Sequence, residues 1–440
     1  MTTEALWETI ARKTKKILPK DHFIRSAMIL AGGTSLAQGL AIIFSPVLTR
    51  LYTPNDFGIL VVYASLLTMS LNFTSLRYEL AIPIPEDNQT AIDVLSLCVG
   101  LVFFTVLLAV LGVWLFSPKL IQVERFRVLE PYLWVLPVGL FLAGVYNVFN
   151  YWAVRERMYP VIARTRISQG ISGTLTQLGL GFISFGPLGL LLGQIVGECA
   201  GLGTLAKLFW KKNKHCLRSV SMANLRAAAR RYKDFPMYQT SASLLNSAGL
   251  QVPPLLFAAY YGVEVAGWFY LTQKVLAKPI SLVGASVSKA FLGEAARLAK
   301  EPRKLQKLFR DMNRRLFLLG IVPSILLAFA GQWIFTFVFG AKWVQSGVYV
   351  QVMAFVFLFK LTTDSVINFS IIERQGFSFS WALMRLSFVV IGILSAAWFG
   401  LSDFWAVVCF AVAMIVSYII KYILWDYVVR QMIVQRETTC

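Results

Sequence analysis

Residues 91–116 read AIDVLSLCVGLVFFTVLLAVLGVWLF, and Asp93 is the only charge among them. A helix rises about 1.5 Å per residue, and about 20 apolar residues cross the roughly 30 Å of bilayer hydrocarbon. The stretch is therefore long enough and apolar enough to span a membrane. Working outward from it, comparable runs occur near 26–49, 57–80, 130–152, 161–184 and 187–209. Six more follow near 237–260, 264–289, 315–339, 348–371, 377–399 and 403–427, each bounded by Pro, Gly or clustered charge. The expected total is twelve spans. The composition of the 440 residues agrees: 57% are hydrophobic and 15% charged, with a net charge of +20. Soluble domains carry about 45–50% apolar and about 25% charged residues, so an ordinary soluble enzyme is excluded. The fold class expected is an all-α polytopic membrane protein.

The positive charges orient it. Lys and Arg are retained on the cytoplasmic side of short loops. The segment to Arg25, the 4/5, 6/7, 8/9 and 10/11 connections and the tail carry thirty of them, and the alternate loops carry five, Arg50, Lys119, Arg125, Arg127 and Lys342. Both termini are expected in the cytoplasm. That distribution also accounts for the basic excess without a nucleic-acid groove, so no nucleic acid partner is expected. Seven cations remain inside spans: Arg77, Lys274, Lys278, Lys289, Lys360, Arg385 and Lys421.

The longest polar interval, 211–234, divides the spans six and six. The domain reading is an N-terminal cytoplasmic amphipathic segment (1–25), an N-lobe of six helices (26–210) and a basic linker with an amphipathic helix (211–236). A C-lobe of six helices (237–428) and a cytoplasmic tail (429–440) complete it. Text near the first span of each half repeats in part. Ser35-Leu36, Gln38 and Pro46 answer Ser243-Leu244, Asn246 and Pro254, while Tyr52 and Gly58 answer Tyr261 and Gly267. Halves that begin on one side must be parallel, related by a pseudo-two-fold along the membrane normal.

The stretch Leu48-Thr-Arg-Leu-Tyr-Thr-Pro-Asn-Asp-Phe-Gly58, followed by Arg77-Tyr-Glu79, resembles the opening of bacterial polysaccharide-repeat flippases. These belong to the multidrug/oligosaccharidyl-lipid/polysaccharide (MOP) exporter superfamily. Tyr232-Lys-Asp-Phe-Pro236, Gly267, Lys278-Pro279 and Ser288-Lys-Ala-Phe291 extend the resemblance through the second half. It implies an O-antigen-type flippase that moves an undecaprenyl-pyrophosphate-linked oligosaccharide to the outer leaflet, with twelve or fourteen spans. The partners implied are that lipid-linked substrate, membrane lipids and other polysaccharide assembly proteins.

A pyrophosphate-linked sugar needs a wet, cationic path, because an unpaired buried charge costs several kcal/mol. Lys274 and Lys278, at i and i+4, share one helix face near mid-span, and too few mid-membrane carboxylates exist to neutralise both. The candidate substrate-binding residues of a central cationic cavity are Lys274, Lys278, Lys360, Arg385 and Arg77. Asp364, Glu198 and Glu79 are the candidates for ion coupling. Lys360 and Asp364, also at i and i+4, can alternatively neutralise each other, and Arg77 with Glu79 can cap a helix end.

No G-x-x-x-x-G-K-[ST] loop occurs, the two histidines and five cysteines form no metal-ligand pattern, and no cofactor is expected. Transport by alternating access, driven by membrane potential or ion antiport, is the expected function. A polysaccharide polymerase or glycosyltransferase would want larger outward loops than these. A multidrug antiporter of the same superfamily would want an acidic cavity for cationic drugs.

Overall fold

The computed structural model describes residues 32–33, 38–121, 124–298, 301–364, 366–367 and 375–437. The expected amphipathic segment 1–25, much of the first span and Arg374 lie outside them. Among the described residues every regular element is helical. Hydrocarbon offers the backbone no partner, so each segment must bond within itself.

The family-like text around residue 50 has a local physical reading. After a helical stretch at 38–43, α1 (Ser45–Leu51) takes Pro46 into its first turn. Thr53 then caps α2 (Pro54–Leu71): its hydroxyl accepts from Asp56 N at 3.3 Å, and Asp56 accepts from Thr53 N at 2.8 Å. This reciprocal box, with Pro54 opening the helix, fixes the start of α2. Then come α3 (Asn88–Ile121), α4 (Val135–Arg155) and α5 (Tyr159–Phe182). The sixth expected span divides into α6 (Pro187–Cys199) and α7 (Leu202–Leu217). Gly201 makes the break at φ +91°, where a β-carbon would also collide with Thr165. The linker carries the short helix α8 (Met222–Arg231), capped by Ser221, as its helical spacing predicts.

A π-turn at Phe235–Gln239 leads into α9 (Thr240–Tyr261), and α10 (Val263–Leu298) follows directly. The chain ends in α11 (Pro302–Phe339), α12 (Val344–Asp364), α13 (Gln375–Trp398) and α14 (Asp403–Glu437). Among the described residues eight helical segments are long and apolar enough to cross a membrane: α2, α3, α4, α6 with α7, and α11 to α14. At three further expected spans stand α5, α9 and α10, of 24, 22 and 36 residues, which have the length but more polar faces. Those faces turn out to line the interior. Outward, α3 exposes Phe103, Phe104, Leu107, Leu108 and Trp114, and α11 exposes Val322, Phe329, Trp333 and Phe337. Apolar surface of that extent suits lipid.

The two halves meet along α2, which packs on α9 and α10. Near their starts α2 and α10 touch backbone to backbone. A β-carbon on Gly58 would run into Val263 O, and one on Gly267 into Pro54 O. Beside this crossing the buried Trp343 donates to Thr49 O at 2.8 Å and meets Phe57 edge-on at 5.0 Å. At the other end of α2, Asn72 donates to Ser247 Oγ on α9 at 3.0 Å. The basic segments of the first half gather at this end. Arg155 donates to the carbonyls of Pro85, Glu86 and Asp87, Lys212 pairs with Glu156, and Tyr78 donates to Ala229 O on α8.

Candidate functional site

Lys274 and Lys278 lie one turn apart on α10, the helix that faces both halves. The Lys274 ammonium sits 5.9 Å from the Phe57 ring centre and 5.7 Å from that of Tyr270. Among the described residues no carboxylate lies within ion-pair distance of it. Aromatic faces supply about 0.5–2 kcal/mol, less than the several kcal/mol that removing an ammonium from water costs. The balance has to come from water or an anion beside it.

Space for either is present on both sides. One cavity of about 350 Å³ lies between α5, α6 and α10, with Arg166, Gln169, Gln177, Gln194, Glu198, Lys274 and Lys278 in its walls. A second of about 300 Å³ lies between α2, α9, α10, α12 and α14, and includes Gln251, Gln273, Lys274 and Lys360. Tyr270 and Lys274 belong to both, so α10 forms the partition. Among the described residues four cations line this paired space, and Glu198 is the single acidic residue doing so. Glu198 Oε1 accepts from Gln194 at 3.0 Å.

Arg166 joins the site without having been expected there. Its charge was counted with the connection before span five. Pro160 opens α5, however, which places Arg166 two turns inside the helix. There its guanidinium donates to Gln169 Oε1 at 3.2 Å and lies 5.6 Å from the Tyr146 ring centre.

Lys360 lines the second cavity, but its expected partner does not form that pair. Asp364 bonds Lys421 of α14 instead, at 2.7 Å, with Tyr418 hydroxyl 3.5 Å away. Arg385 and Lys421 both lie over the Trp381 ring, at 4.6 and 4.3 Å. Arg385 is buried, and its Nε and Nη2 have no hydrogen-bond partner. Gly249 makes room for it, since a β-carbon there would overlap Nη2. Gly249 itself lines the second cavity, so Arg385 stands behind that wall.

Arg77 and Glu79 are separate from both cavities. They follow α2, where Leu76 and Arg77 turn at φ 48° and 63°. Arg77 reaches Glu79 at 3.4 Å and donates to Asn72 Oδ1 at 2.8 Å, while Ser75 donates to Glu79. The same Asn72 holds Ser247 of α9, so this group ties α2 to the other half. The side chain of Lys289 lies outside what the structure describes.

Residues 47–348 match the family described as polysaccharide biosynthesis protein. A curated relative, the teichuronic acid biosynthesis protein TuaB of Bacillus subtilis (strain 168), is 19% identical over 303 residues. That match takes in 67% of this chain, and the chain spans 60% of the relative's length. Among solved structures, the lipid II flippase MurJ in an inward closed conformation superposes with a TM-score of 0.67 at 12% identity. It covers 92% of this chain and 89% of its own. An inward-facing multidrug resistance MATE family transporter of the MOP superfamily gives 0.56 at 14% identity, covering 94% of each chain. These likenesses show that the chain has the fold these two structures share.

Proposed function

The chain belongs to the polysaccharide biosynthesis protein family, and from that premise we propose that it is a flippase for an undecaprenyl-pyrophosphate-linked oligosaccharide. It carries an O-antigen, capsule or exopolysaccharide repeat from the cytoplasmic to the outer leaflet of the inner membrane. The observation behind this reading is the paired space around Lys274, lined by Arg166, Lys274, Lys278 and Lys360 against the single carboxylate of Glu198. A pyrophosphate diester brings two negative charges, which a site of net positive charge takes without forcing like charges together. A cationic drug would meet the opposite field, and that weighs against multidrug antiport.

The prenyl tail stays in lipid while the head passes between the halves by alternating access. An inside-negative potential assists both strokes. Each negative charge carried outward gains about 2.3 kcal/mol per 100 mV, and the emptied cationic site is drawn back inward. Asp364, Glu198 and Glu79 are the groups through which an ion could be coupled instead. Undecaprenyl lipids and the enzymes that load and polymerise the repeat are the partners this activity needs.

The test is Lys274→Ala with Lys278→Ala in the producing bacterium, scored for surface polysaccharide and for chain abundance in the membrane. Polysaccharide is expected to vanish at unchanged abundance. Normal polysaccharide in the double variant would reject the site.

A further inference from the structure

The two walls of the paired space differ in kind. Around Lys360 the lining is mostly apolar, from Val61, Ile280, Met353, Phe357 and Phe410. Around Lys278 it is a face of amides and exposed backbone contributed by α5 and α6. These helices meet at glycine: a β-carbon on Gly173 would lie 2.9 Å from Gly197 Cα and 3.0 Å from Gly193 O. The close approach leaves the neighbouring glutamines as the wall.

Gln177 and Gln194 are held through their amide nitrogens. Gln177 Nε2 donates to Leu190 O at 3.3 Å, and Gln194 Nε2 donates to Glu198 Oε1 at 3.0 Å. Gln169 is occupied at both ends, accepting from Arg166 and donating to Glu198 O at 2.7 Å. Those bonds engage the nitrogen ends of Gln177 and Gln194 and one oxygen of Glu198, so Oε1 of each of the two glutamines and Oε2 of Glu198 are the remaining acceptors of residues that line the cavity. Three oriented acceptors thus stand within one cavity with two lysines and an arginine. A polar wall in a membrane helix is expensive unless water or a ligand satisfies it.

We propose that this α5–α6 wall is the saccharide subsite, and that it receives an uncharged, hydroxyl-rich sugar ring, the one attached to the pyrophosphate. Hydroxyl groups donate to Gln177, Gln194 and Glu198, and the pyrophosphate lies on the Lys274 and Lys278 side of the same cavity. A carboxylate on that ring would face Glu198, so acidic sugars belong further along the repeat. The assignment rests on the flippase reading, which supplies the lipid-linked sugar.

The experiment uses the full chain in nanodiscs with two probes. One is undecaprenyl pyrophosphate alone, and the other is the lipid-linked saccharide that accumulates in cells lacking the gene. Gln194→Leu and Gln177→Leu each remove an acceptor at similar volume. Losing a buried hydrogen bond to a sugar hydroxyl is worth about tenfold in affinity. Each variant is expected to bind the saccharide-bearing lipid about tenfold more weakly and the sugar-free lipid as the wild type does, while Lys274→Ala weakens both. Should Gln177→Leu fail to fold, Gln194→Leu decides, with its melting temperature recorded alongside. Unchanged binding of both lipids would overturn the subsite, leaving a merely wetted wall. So would equal loss of both at an unchanged melting temperature. A wild-type chain that binds neither probe would remove the flippase reading as well, which separates the two failures.

Discussion

Asp364 is a single carboxylate in the field of three cations: Lys421 at 2.7 Å, Lys360 one turn away and Arg385 beyond Trp381. Removing its charge strands all three, and breaking a largely buried pair costs about 3–5 kcal/mol. Asp364 keeps some exposure, so the lower end applies. Asp364→Asn is therefore expected to lower stability by about 3 kcal/mol, read as a fall in the thermal midpoint and in membrane abundance. Lys274→Ala should do the reverse, leaving stability unchanged or raised, because it deletes a half-buried ammonium that no carboxylate compensates. The contrast separates a cation that holds the fold from one that serves a ligand. A charge inside an apolar run is conspicuous in a sequence, and Lys274, Lys278 and Lys360 were legible for that reason. Pairing was not. Spacing of i, i+4 pointed Asp364 at Lys360, but the partner came from α14, 57 residues on. Arg166 falls inside the expected span 161–184 but was missed because its charge was assigned to the 4/5 connection.

At the scale of elements, hydropathy measures how much of a helix crosses hydrocarbon, and that is neither its length nor its position. The start of α11 at Pro302 precedes the expected boundary at 315. The charged turn there still buries Leu305 and Phe309, so one amphipathic helix continues through it. Conversely α5, α9 and α10, expected as spans near 161–184, 237–260 and 264–289, are less apolar than their lengths allow because their faces serve the interior instead of lipid. The break between α6 and α7 carries its own test. Gly201→Ala forces an L-residue to φ +91° and brings its methyl onto Thr165. The backbone term alone is about 1–2 kcal/mol. The thermal midpoint in detergent should fall, and Thr165→Ser in the same chain should recover only the share due to Cγ2, since the Thr165 β-carbon also lies 2.6 Å from the added methyl. A variant as stable as the wild type would mean that the bend is not fixed at this residue.

For the whole molecule, the partial repeat in the sequence acquires a physical meaning at the crossing of α2 and α10. Gly58 and Gly267 stand 209 positions apart, as do the two residues whose carbonyls they approach, Pro54 and Val263. Each half offers its glycine to the other half's helix start, which is the contact that a two-fold axis through the crossing would produce. The glycines let the halves close there, while Asn72 and Ser247 join them at the opposite end. The alternating access proposed above requires these two closures to be exchanged in turn. A side chain at the crossing should therefore bias the exchange, because neither carbonyl can yield without moving its helix. Gly58→Leu, in a cysteine-free chain labelled at Asn55→Cys and Glu264→Cys, is expected to lengthen the spin-label distance across the crossing and to abolish surface polysaccharide. Membrane abundance is recorded alongside, because the apolar core runs through the crossing by way of Phe57, Val263 and Ala266. Gly267→Leu should reproduce the effect from the other side. An unchanged distance with normal polysaccharide in both variants would show that the crossing is a passive seam and that the halves move about some other contact.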